Sequence, residues 1–240
     1  MEFGLWNGLL SGNLDLFYEK RNDILTQYLT RPQWVGVAMA AANLGKTKNS
    51  GYEIELKHAN HIGKDFNYTV GLTYSHAKNE ILMMDEPDLK TDYRKREGHP
   101  INQYFGLVCD GFITQADIDG GKLPVSKLGE NVGIGDLKYR DMNGDGLIDE
   151  RDETFIGYSG VNHVSRYYDA EAMFAFVNGG KVKEHHLDRW NPSKSEAENL
   201  ANAKYPRLHY DSYGNHNQRG NSFFLKNGAF MRLKNIELSY

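Results

Sequence analysis

From Phe66 to Ser75 the segment FNYTVGLTYS alternates without a break. Phe66, Tyr68, Val70, Leu72 and Tyr74 fall on one side of an extended chain. Asn67, Thr69, Gly71, Thr73 and Ser75 fall on the other. Successive side chains of a strand point to opposite faces, so the pattern predicts a strand with one apolar, aromatic face and one small polar face. GYEIELK (51–57) repeats it, with Tyr52, Ile54 and Leu56 against Glu53, Glu55 and Lys57. The polar HANHIGKD between them reads as a turn, which makes the pair an antiparallel hairpin. Leu14, Leu16 and Tyr18 alternate with Asn13, Asp15 and Phe17 near the start. Ile236, Leu238 and Tyr240 alternate with Asn235, Glu237 and Ser239 at the far end. There the phase slips between Leu233 and Ile236, as a bulge would make it.

Two architectures produce such strands. A water-soluble antiparallel sheet lays its apolar face on a core and its polar face in solvent. A transmembrane barrel reverses the surroundings, with the apolar face on lipid and the polar face on a watery lumen, in strands of about 9–11 residues carrying aromatics near both interfaces. Residues 85–135 and 141–222 show little alternation and much Gly, Asn and Asp. Connections of that length are uncommon in compact soluble domains, whereas large barrels carry short turns at one end and long loops at the other. The pattern therefore predicts an all-β chain: antiparallel strands of a transmembrane β-barrel with long loops. Glu53, Glu55, Asn67 and Thr69 then fall on the lumen side as candidates to line a pathway.

Composition narrows this further. A formal net charge of −4 over 240 residues argues against a nucleic-acid partner. The single cysteine, Cys109, excludes an internal disulfide and a multi-thiolate metal site. No apolar run reaches the ~18 residues a membrane helix needs. Met1 is followed by EFGLWNG, with neither the basic nor the hydrophobic region of a signal peptide, so the chain reads either as cytosolic or as a piece that starts partway through a longer protein. No nucleophile elbow, phosphate loop or dinucleotide fingerprint is present, and no Ser, His and Asp are spaced as a triad, so no enzyme is expected. His185 and His186 lack a third ligand at zinc spacing and read as a solvated loop. Trp34 and Trp190 stand in polar loops, where each either packs its own loop or stacks on a substrate or partner.

DMNGDGLIDERDE (141–153) has the form of a calcium loop. Oxygen ligands at positions 1, 3, 5, 7, 9 and 12 correspond to Asp141, Asn143, Asp145, the Leu147 carbonyl, Asp149 and Asp152, with Gly146 at the sixth position and the apolar Ile148 at the eighth. Asp in the last place is one methylene shorter than the usual Glu, which weakens binding. The flanks, GIGDLKYR and ETFIGYSG, are Gly-rich and strand-like, whereas a calcium sensor needs a helix on each side. The expectation is a structural calcium pin holding a loop that has no core of its own. An acidic turn that binds nothing is the alternative.

The order of motifs resembles the C-terminal barrel portion of SusC/RagA-type TonB-dependent outer-membrane transporters. The matching segments are LDLFYEKRNDIL (14–25), NLGKTKNSGYEIEL (43–56), FNYTVGLTYSHAKNEI (66–81), REGHPINQYFGLVCDGFI (96–113), GDLKYRDMNGDGLID (135–149), DRWNPS (188–193), YPRL (205–208) and FFLKNGAFMRLKNIELSY (223–240). The resemblance covers most of the chain and assigns residues 1–240 to such a barrel. It departs from the family in showing no plug domain or TonB box, and in stopping at LSY before the expected final strands, so an incomplete barrel is expected. The resemblance implies an outer-membrane location and uptake of an oligosaccharide or an oligopeptide. It also implies a SusD-like lipoprotein at the mouth, energy from the TonB complex through a region with no counterpart here, and contact with outer-membrane lipid. The competing expectation is a soluble calcium-dependent β-module that binds carbohydrate.

Overall fold

The computed structural model describes residues 1–27, 40–64, 66–86, 91–129, 131–158, 166–175, 182–209, 216–228 and 237–239. These residues divide into two compact units. The first holds Met1–Asn102 and Gly228–Tyr240 with a short insertion; the second holds Gln103–Ser159 and Arg166–Asn227.

The first unit is an antiparallel meander of β1 (Glu2–Leu5), β2 (Leu10–Thr26), β3 (Ala42–Ile62) and β4 (Phe66–Met83), with the short strand Glu237–Ser239 added beside β4. The register sets Leu14 opposite Ile54 and Ile54 opposite Tyr74, so the apolar positions read from the sequence share one face across all three long strands. That agreement follows from the period of two, because a slip by one residue would turn every side chain over. The strands are longer than the alternating segments. β2, β3 and β4 run 17, 21 and 18 residues. The polar stretch read as a turn is mostly strand, since β3 continues to Ile62 and β4 begins at Phe66. Backbone pairing continues past the point where apolar alternation stops, because hydrogen bonds hold the ladder whatever the side chains are. The expected bulge between Leu233 and Ile236 lies outside the described residues.

Within the second unit, β5 (Gln103–Gly106) pairs with β10 (Thr154–Tyr158), β6 (Cys109–Phe112) with β8 (Leu137–Tyr139), β7 (Val125–Ser126) in parallel with β9 (Leu147–Ile148), and β11 (Arg166–Tyr168) with β12 (Leu225–Asn227). Three short helices join them: α1 (Gln115–Asp119), α2 (Ala170–Met173) and α3 (Glu196–Asn202). Thr114 starts α1 with a reciprocal cap, its hydroxyl accepting from the Asp117 amide while the Asp117 carboxylate accepts from the Thr114 amide.

A core of Leu107, Leu128, Leu137, Tyr139, Ile148, Met173 and Phe224 fills this unit. Residues read from the sequence as long excursions thus fold around their own apolar centre. The contributing residues come singly from segments too short to show a period. Every buried apolar residue among the described ones belongs to this second unit. The long-stranded sheet has none.

Candidate functional site

On the sheet, Leu16, Tyr18, Val70, Leu72 and Tyr74 project from the apolar face with 75%, 70%, 60%, 59% and 41% of their surface exposed. Burying a side chain of this size contributes roughly 1.5–3 kcal/mol, so a continuous exposed row of them is a substantial penalty in water. The opposite face carries the candidate pathway residues. Glu53 stands between Asp15 and Ser75, and Glu55 between Asn13 and Thr73. Asn67 lies between His61 and Ser239, and Thr69 between Ala59 and Glu237. All four are exposed, and all four lie on one face. Glu53 and Asp15 are like charges set directly across a ladder, an arrangement that wide exposure to water makes tolerable. The alternation was read correctly and the grouping follows from it.

The acidic loop begins two residues after β8, which ends at Tyr139. The Asp141 carboxylate accepts from the amides of Gly144 and Gly146 at 2.7 and 2.8 Å. Asn143 Oδ1 accepts from the Asp145 amide at 2.9 Å, and Asp145 Oδ1 from the Leu147 amide at 2.9 Å. Gly146 has φ +78, a left-handed conformation that the tight turn requires and that side chains resist. Neither flank is a helix: β8 precedes the loop, its last three positions, Glu150–Asp152, form a single 3-10 turn, and β10 follows.

Two features depart from a cation cage. The Arg151 guanidinium reaches Asp145 at 2.8 Å and Asp149 at 2.7 Å, supplying positive charge where a metal would. Asp152 is fully buried, and its two oxygens accept from the Met142 and Asp149 amides at 2.9 Å each, so it closes the loop on its own backbone. The side chains at the first, third, fifth and closing positions all accept from the loop's own backbone amides, so as arranged the loop is closed by hydrogen bonds. Among the described residues no group of three or more His, Cys, Asp or Glu converges as metal ligands. The loop also has a core beneath it, since Ile148 is 3% exposed within the apolar cluster.

Of the two readings of Trp190, packing holds and surface contact does not. It is 3% exposed, its ring meets Phe112 edge-on at 5.5 Å, and its amide donates to the Tyr205 carbonyl. Gly135, at φ +86, leaves the space its indole fills. Trp34 lies outside the described residues. His186 departs from the solvated reading too: a 3-10 turn spans Glu184–Asp188, and the ring is buried, with Nδ1 accepting from the Lys183 amide and Nε2 on the Ala172 carbonyl. Burial holds its pKa below the ordinary histidine value.

A charge centre that sequence reading did not find anchors the second unit. Asp136, with no exposed surface, accepts from Arg207 Nε at 2.9 Å and Nη2 at 2.7 Å, His209 Nε2 at 2.6 Å, Asn217 Nδ2 at 2.9 Å and the Gly133 amide at 2.9 Å. Burial opposes its charge, but the hydrogen bonds from His209, Arg207 and Gly133 outweigh that and hold the carboxyl below the usual carboxylate range. Asp136 lies in GDLKYRD and Arg207 in YPRL. Their pairing across some 70 residues leaves no mark in either.

A sheet apolar outward, polar inward and without a core defines a class, the wall of a membrane β-barrel. Residues 2–240 match the family model described as "TonB dependent receptor-like, beta-barrel", and the chain belongs to that family. Its relatives place it in the SusC/RagA group, whose members lie in the outer membrane. It is 26% identical over its whole length to TonB-dependent receptor P26 of Formosa agariphila, and 21% identical to TonB-dependent receptor SusC of Bacteroides thetaiotaomicron. It spans about a quarter of the length of each, 26% and 25% respectively. The RagAB peptide transporter superposes on 99% of this chain with a TM-score of 0.63 at 18% identity, and the chain covers 27% of that structure. At such identity the likeness establishes the barrel fold.

Proposed function

We propose that this chain is a wall section of an outer-membrane transporter that takes up a large nutrient, an oligosaccharide in the first place and an oligopeptide in the second, using energy from the TonB complex. A SusD-like lipoprotein caps its mouth. Glu53, Glu55, Asn67 and Thr69 line the route and touch substrate through hydrogen bonds, and no bond of the substrate is broken. Calcium seats at Asp141, Asn143, Asp145, the Leu147 carbonyl and Asp149 when Arg151 turns away, as a structural ion.

The observation carrying this reading is the exposed apolar row from Leu16 to Leu72, backed across the same strands by a wholly different, polar row. Hydrocarbon on one side and water on the other satisfies both. The test is detergent dependence of the intact receptor. It is expected to stay in the membrane fraction through carbonate washing and to need detergent for solubility. A monomer soluble without detergent, with chelator-sensitive heat of glycan binding, would establish the soluble calcium-dependent module instead.

A further inference from the structure

Above the apolar face the outward side chains change character along a line. Tyr18, Tyr52 and Tyr74 are the last aromatic residues on this face of β2, β3 and β4, and the Tyr52 and Tyr74 rings lie 5.9 Å apart. Just past them on the same face come Lys20, Lys48 and Lys78: two residues beyond Tyr18, four before Tyr52 and four beyond Tyr74. Lys46 follows on β3. Lys20 is the direct cross-strand partner of Lys48, and Tyr18, Ser50 and Lys78 form the adjoining row. The only carboxylate in these rows, Glu80, pairs with Lys48 at 3.0 Å, and among the described residues no ion pair engages Lys20, Lys46 or Lys78.

Glu80 offsets Lys48 alone, which leaves Lys20 beside it and Lys78 in the adjoining row open to a further anion. The height of these lysines identifies that anion. At about 3.3 Å per residue and a tilt of roughly 40°, two to four residues place the ammonium groups about 5–10 Å past the tyrosine line, the depth of lipid headgroups. The turns at the other end of the sheet, residues 6–9 and 63–65, are short, whereas the lysine end leads into the long connections. Short turns are periplasmic and long loops extracellular, so the lysines meet the outer leaflet.

We propose that Lys20, Lys48 and Lys78 form a seat for the phosphate groups of outer-leaflet lipid, with the tyrosine line resting against the acyl–headgroup boundary below it. Compact ammonium groups on flexible stems suit a phosphate whose position varies from lipid to lipid. This rests on the membrane-barrel reading and adds to it a specific, charged lipid site.

The experiment uses the intact receptor in detergent micelles, titrated with lipid A and with phosphatidylglycerol, with bound lipids counted by native mass spectrometry. Phosphatidylcholine serves as the zwitterionic control. The K20Q/K48Q/K78Q variant is expected to hold about tenfold less of both phosphate lipids, with phosphatidylcholine unchanged. K57Q, on the lumen face, is expected to hold as much as the parent. Heat-modifiable migration on gels reports the folded barrel separately. Should the triple variant fail to fold, K20Q/K78Q, which leaves the Lys48–Glu80 pair intact, is expected to show about a threefold loss. Unchanged phosphate-lipid retention in a folded variant overturns the proposal, as does an equal loss of phosphatidylcholine. A parent that shows no heat-modifiable, detergent-requiring barrel overturns the membrane reading itself.

Discussion

Arg207 grips Asp136 with two nitrogens, at 2.9 and 2.7 Å, across 71 residues of chain, while Asp136 has no surface exposed to solvent. A buried carboxylate that loses one cation of its pair costs about 3–5 kcal/mol, because its charge stays behind without compensation. Arg207→Met is therefore expected to destabilise the second unit by about 3 kcal/mol. Hydrogen exchange in the intact receptor reads this locally, as faster exchange at Leu137 and Asn217. Protection changed by less than about 1 kcal/mol would show that His209, Asn217 and the Gly133 amide suffice without the arginine.

Acid is expected to loosen the same unit in two stages. His216 is 4% exposed, with Nδ1 beside Ser126 Oγ at 2.8 Å and Nε2 donating to the Leu137 carbonyl at 2.7 Å. Burial lowers its pKa. Its folded pKa thus lies below the unfolded value of about 6.5, so the stability it contributes is complete above that pH and is lost as pH falls through the folded value. Asp136, also lowered, retains its contribution until pH drops below about 4. Exchange protection at β8 should fall between pH 7 and 5, and His216→Gln should flatten that first stage. A parent whose protection is constant from pH 7 to 5 would refute the neutral, buried state of His216.

The sheet was legible in the sequence because a strand bounded by two different solvents must alternate, and its register follows from matching apolar sides. Its upper half was not, since Lys20, Lys48 and Lys78 replace apolar residues where the wall leaves hydrocarbon and the ladder persists without a pattern. The second unit hid for a different reason. Leu137 and Ile148 reach one core from strands of three and two residues, and Leu107 and Phe224 from positions just outside short strands, so no period can register. Trp190 and His186 look like loop residues beside Asn, Pro, Lys and Glu, and burial is set by partners such as Phe112 and Ala172 far away in sequence. The calcium loop lies between these cases. Asp141, Asn143 and Asp145 take the turns their spacing predicts. That Asp152 would be spent on two backbone amides is invisible until the chain is folded.

A charge on the lipid face of β4 should cost far more than the same charge on the lumen face. Val70 is 60% exposed at the middle of the apolar run from Phe66 to Tyr74, and Thr73 lies on the other side of the same strand. Arginine at the bilayer midplane costs about 2–4 kcal/mol, and little where a strand meets water. Val70→Arg is expected to lower the yield of heat-modifiable barrel in the outer membrane sharply, with Thr73→Arg near the parent. Equal yields for the two would mean that β4 does not separate lipid from water.

Arg151 is the competitor for calcium. Its guanidinium bridges Asp145 and Asp149 at 2.8 and 2.7 Å, so an ion entering the loop must displace a charge-assisted contact before it gains those oxygens. The arginine is more than half exposed, so screening by solvent keeps the pair weak. Removing it should strengthen binding by no more than about fivefold. Arg151→Ala is expected to raise the affinity for terbium, a luminescent stand-in for calcium, by that factor, and Asp141→Asn to weaken it. A parent and an Arg151→Ala variant that both fail to take up terbium would show that Asp152, held by the Met142 and Asp149 amides, leaves the loop one ligand short. The loop would then be closed by its own hydrogen bonds, with Arg151 in the place of the ion.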